Sequence, residues 1–72
     1  MKLCTVSMIG KDGESHLVEV EASSLFDAAG RAVQQWARMW WFQPDALIDV
    51  RIGANRWLVR QDRLRQARGP NG

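Results

Sequence analysis

Between Ser24 and Trp40 the apolar residues Leu25, Ala29, Ala32, Trp36 and Trp40 recur at steps of three and four. At about 100° per residue they form one helical stripe, flanked by Ala28, Val33 and Met39. Asp27, Arg31, Gln34 and Arg38 fall on the opposite side. An apolar stripe must be covered, and what flanks this one has the period of strands. Ser24 is placed to cap the helix, and Asp27 adds a carboxylate at the positive end of its dipole. Asp27 is shorter than the Glu of a full capping box, so the reciprocal bond is not assured. Gly30, mid-helix, marks a tolerated glycine, a close backbone approach or a contact with another chain.

Leu3 to Ile9 alternates, with Cys4, Val6 and Met8 on one face. Gly10-Lys11-Asp12-Gly13 is a hairpin turn. Ser15 to Ala22 alternates again: Val18, Val20 and Ala22 turn toward the helix, and Leu17, Glu19 and Glu21 away from it. After the helix, Pro44 bars helical geometry at Gln43, so the helix ends by about Phe42. Leu47 to Ile52 is a third strand, with Ile48, Val50 and Ile52 inward. Gly53-Ala54-Asn55 is a turn, and Arg56 to Arg60 is a fourth strand with Trp57 and Val59 inward. Asp62 is placed to cap a short helical turn through Ala67. The fold class is α+β, a ββαββ unit with one helix on a four-stranded, mainly antiparallel sheet. Pairing the third strand with the first gives the order 2-1-3-4, all antiparallel. The alternative, 1-2-3-4, needs a parallel pair, which is rarer in small sheets. Residues 1–68 read as one domain, and 69–72 as a flexible tail.

Thr5-Val6, Asp12-Gly13, His16, Val18-Glu19-Val20, Ala22, Ser24-Leu25 and Ala28-Ala29 together resemble a pattern found in a group of short bacterial proteins. That group has a hairpin, a helix and a second hairpin, and no assigned activity. The likeness is close over residues 5–33 and extends to the second half only in layout. It implies the architecture and a bacterial source, and no chemistry.

A chain of 72 residues buries only about 60% of its unfolded surface. Cys4 and His16 are its only cysteine and histidine. A disulfide framework is therefore excluded, and no metal-ligand set or cofactor site is legible. Cys4 and His16 are also the only nucleophile–base pair. Counting back from the turn places Cys4 beyond the residue opposite His16, so the chain reads as non-enzymatic. Gly10 and Gly13 lie in a hairpin and not before a helix, which removes a phosphate loop. The first residues do not resemble a signal peptide and no run approaches a membrane span, so the expectation is cytoplasmic with no membrane partner.

Two surface features remain. Trp36, Trp40 and Trp57 can be assigned to the core, but Trp41 and Phe42 leave the stripe. Either the helix ends early and Trp41 covers the sheet edge, or the corner serves self-association or ligand stacking. Residues 37–72 carry seven arginines against three acids, net +4, whereas residues 1–36 are net −2. Arg51, Arg56, Arg60, Arg63 and Arg65 are candidate contacts for an anion or nucleic acid. Alternatively they form a solvated edge or pair with Glu19 and Glu21. The reading that follows is a self-associating interaction module, a homodimer through the outer sheet face with Leu17, Leu47 and Leu58, or else through the corner of Trp41 and Phe42, the sheet face being favoured. Its apolar centre would carry a charged rim. A nucleic-acid-binding or regulatory protein is the alternative.

Overall fold

The computed structural model describes residues 2–67 and, in the last helix, side chains only as far as Leu64. Four strands, β1 (Lys2–Ile9), β2 (Ser15–Ala22), β3 (Ile48–Ile52) and β4 (Asn55–Val59), form one sheet in the order β2-β1-β3-β4. Every neighbouring pair is antiparallel. Helix α1 (Leu25–Trp36) covers one face, and a second short helix, α2 (Gln61–Ala67), follows β4. The fold is α+β with the expected element order. The proposed tail at 69–72 lies outside the described residues.

The alternation in β1 fixes what is inside. Cys4, Val6 and Met8 are buried and meet Val20, Val18 and His16 across the β1–β2 ladder. Val6 also pairs with Val50 of β3. Ala28, Ala29, Ala32 and Trp36 of α1 close over this floor, and Ile48, Val59 and Leu64 complete the core. Small alanines on the helix let it approach the sheet closely, and Trp36 fills the wider end. Leu64 shows that α2 belongs to the core and is not merely a turn. The helix begins at Gln61, one residue before Asp62, so Asp62 lies in its first turn and does not cap it.

At the other end of α1, the Ser24 side chain accepts a hydrogen bond from the Asp27 N–H at 3.1 Å. The Asp27 carboxylate reaches one residue further back than a capping box requires and accepts the Ser23 N–H at 3.0 Å. The reciprocal bond of a capping box, to the Ser24 N–H, is thus replaced by one to the residue before the cap. A Cβ added at Gly30 would meet nothing within 4 Å, so no backbone approaches there.

The helix stops earlier than the apolar spacing implies. Its cap is Ala37, and Met39 N–H to Trp36 O and Phe42 N–H to Met39 O are tight turns of i→i+3 type. Trp40 therefore leaves the stripe and is 74% exposed instead of joining the core. Trp57 does lie on the inner face, paired with Val50, but β4 is an edge strand and leaves it 40% exposed. Leu47 precedes β3, and Arg60 follows β4.

Both hairpin turns place a glycine at positive φ: Gly13 at 77° and Gly53 at 60°. Gly53-Ala54 is a two-residue loop with the glycine first, as the type II′ turn requires. Gly10 is needed for a different reason. A Cβ there would stand 2.9 Å from the Trp41 carbonyl oxygen, against which the neighbouring Lys11 N–H donates at 2.7 Å.

Candidate interaction surface

Two regions carry the residues singled out from the sequence: the corner around Trp41 and the sheet face opposite α1. The corner is internal architecture. Trp41 stacks on the His16 ring with centroids 3.5 Å apart and planes 2° from parallel. It also meets Trp36 edge-on at 6.1 Å. The Gln43 side chain donates to the Ile9 carbonyl at 3.1 Å, so the loop after α1 is tied to the first hairpin at several points. Trp41 and Phe42 are partly buried against the core. Of the readings open for Trp41, cover for the end of the hairpin fits this geometry. Trp40 and Met39 are the exposed residues of the corner.

His16 is held from its other side by Asp12, with Nε2 to Oδ2 at 3.0 Å. Cys4 lies opposite Val20, two inward pairs from His16, so the two do not form a nucleophile–base pair. For Asp12, partial loss of water opposes ionisation. The Glu14 N–H, the His16 hydrogen bond and the His16 charge outweigh it and hold the carboxyl below its usual range. For Asp27, the Ser23 N–H does the same first, opposed by desolvation and helped by Arg31. A carboxyl with a depressed folded pKa contributes stability above the unfolded value, about 3.9, and loses it as pH falls through the folded one. Asp12→Asn is therefore expected to flatten the fall in urea midpoint below about pH 4. An acid limb as steep as in the unsubstituted protein would remove Asp12 from that account.

Among the described residues no helix covers the opposite sheet face. Leu3, Ile9, Leu17 and Leu58 project from it, and each is more than half exposed; Leu47, before β3, is 50% exposed. The ladder arranges this face in rows across the strands. One row reads Leu17, Ser7, Asp49, Leu58 from β2 to β4, and the next reads Glu19, Thr5, Arg51, Arg56. The expected apolar centre is thus not present. Threonine, serine, Asp49 and Arg51 occupy the middle, because β1 places its large apolar residues Leu3 and Ile9 at its ends. Leu17 and Leu58 lie on the two edge strands.

Charge is divided across the same face. Glu19 and Glu21 are exposed on β2 and enter no ion pair among the described residues. On the other side Asp49 receives Arg56 Nε at 2.8 Å, with Arg51 Nε at 3.8 Å. Arg60 meets Asp62 at 2.7 Å. Intrachain pairing of the arginines therefore uses aspartates of the same half and not the β2 glutamates. Arg63 is exposed on α2, and the Arg65 side chain lies outside the described residues. Arg51, Arg56 and Arg60 each have an aspartate within 4 Å, and Asp49 is shared by two of them. No three potential metal ligands cluster among the described residues, and no helix there is long and apolar enough to cross a membrane.

No protein-family model, curated protein or solved structure matches the chain. The likeness seen over residues 5–33 rests on those residues alone.

Proposed function

We propose that this chain is a small non-enzymatic interaction module that associates with a second copy of itself through the uncovered sheet face. The observation that supports it is that face. It leaves four large aliphatic side chains more than half exposed, with no described element packed over them. Strand spacing gives it a width of about 19 Å and a flat footprint of about 400 Å². Two such faces give about 800 Å² in flat projection, below the range of stable complexes, so the assembly is a weak, reversible dimer. Its two edge strands would remain open.

The test is mass by light scattering across a micromolar concentration series. The expected result is a shift from one chain to two, lost in Leu17→Glu and kept in Trp40→Ser. Trp41→Ser is not a usable probe, because it removes the His16 stack. A monomer at high micromolar concentration overturns the proposal. Loss of the dimer in Trp40→Ser alone would move the interface to the loop after α1.

A further inference from the structure

We infer that the dimer is built on a two-fold axis that runs along the strands between β1 and β3, so that Glu19 faces Arg56 of the partner subunit. This rests on the self-association proposed above and adds the geometry of the contact.

Two sheets packed face to face can be related by a two-fold axis parallel or perpendicular to their strands. A perpendicular axis sets β2 against β2, and places Glu19 and Glu21 near their own copies. Like charges brought together at an interface are unfavourable. An axis along the strands sets β2 against β4 of the partner and β1 against its β3. It also leaves no freedom to slide along the strands, because a two-fold rotation preserves position along its own axis. Every row must then meet itself reversed.

The rows suit that operation. Leu17 meets Leu58 of the partner subunit, Ser7 meets the partner's Asp49, and Glu19 meets the partner's Arg56. Reversal also gives each contact a second time, as an isologous interface demands. Apolar contacts thus form on both flanks of a polar centre, and acid faces base at the rim. Aligned sheets cross at about 30°, which displaces facing residues on the outer strands by about 4 Å. Glutamate and arginine side chains span that distance. Arg56 is 58% exposed while bound to Asp49, so its guanidinium has further donors for a second carboxylate.

Charge reversal tests the axis. Glu19→Arg and Arg56→Glu are each expected to weaken the homodimer at least tenfold. Mixed in equal amounts, the two variants should associate as tightly as the unsubstituted chain, since one rim contact is then native and the other is restored in swapped sense. On the alternative axis each substitution exchanges one like-charge pair for another, so neither variant weakens the homodimer, and the mixture, with arginine facing glutamate on both edge strands, associates more tightly than the unsubstituted chain. Because Arg56→Glu also places a carboxylate beside Asp49, a second measurement avoids that site. Leu17→Cys and Leu58→Cys, mixed and treated with a bismaleimide long enough to span two stacked sheets, should yield a cross-linked heterodimer, with little cross-linking of either variant alone. Unsubstituted protein that dimerises, with both charge variants as tight alone as the unsubstituted chain and no cross-link between the Leu17→Cys and Leu58→Cys variants, overturns the axis alone. Unsubstituted protein that stays monomeric overturns the self-association beneath it.

Discussion

Trp36→Ala is expected to leave the chain unfolded or without fixed packing at room temperature. Trp36 is 5% exposed between α1 and the sheet and meets Trp41 edge-on. Truncating a buried tryptophan costs about 3–5 kcal/mol. A domain of this length has about 4–10 kcal/mol in total. The lower part of that range does not survive the change. The loss propagates, because Trp41 then stacks on His16 with nothing behind it. Loss of near-ultraviolet circular dichroism and a flattened urea transition are the expected signs. An unchanged melting temperature would mean that α1 does not present Trp36 to the sheet.

The second large effect is expected at Gln61, a polar residue only 6% exposed. Its Nε2 donates to the Gln43 carbonyl at 2.7 Å and the Ala46 carbonyl at 2.8 Å. One amide thus fastens the start of α2 to the loop that leads into β3. Gln61→Leu leaves both carbonyls without that donor, at a cost of about 1–3 kcal/mol. Gln61→Glu is worse at neutral pH, about 3–5 kcal/mol, since a carboxylate would face two carbonyl oxygens. The protonated acid can still donate to one of them, so folding raises the pKa of the new group. Relative to the unsubstituted protein, its stability is greatest below the unfolded value of about 4.3 and falls as pH rises through the folded one. Urea midpoints at pH 4 and pH 7 measure this. Equal deficits at both would show that the new side chain has turned out to water.

The alternation in β1 to β4 and the paired glycine turns carried most of the fold, because strand period and turn chemistry are local properties. Strand order was legible too, from the rarity of parallel pairs. The helix end was not. The three-and-four spacing continues through Trp40, and only Pro44 marks a limit. What ends α1 at Trp36 is tertiary: Trp41 on the His16 ring, and the Lys11 N–H on the Trp41 carbonyl. Neither partner is near Trp41 in sequence. Leu64 was missed for a similar reason, since a seven-residue helix has too little period to reveal its buried side. At the candidate surface, the outward residues were assigned to the correct face, but their rows depend on register. The polar centre at Ser7 and Asp49 follows only once β1 is known to lie beside β3. The ladder sets Arg56 opposite Arg51, as a basic grouping implies, and the diagonal contact with Asp49 also needs the register.

The order β2-β1-β3-β4 also governs how the chain reaches its fold. Each hairpin closes a short loop, and such units form in about 1–10 μs. The seam between them, Thr5 with Arg51 and Ser7 with Asp49, encloses more than forty intervening residues. Neither hairpin is stable alone, and the helix has no complete floor until that seam forms. The rate-limiting encounter is therefore expected to join the two halves of the molecule at its centre. Substitutions at Val6 and Val50 should slow folding, whereas changes near Gly53 should mainly speed unfolding. Nascent chains that have not yet produced β3 would carry β1 with one edge unpaired, and that interval is when this protein is most exposed to mispairing.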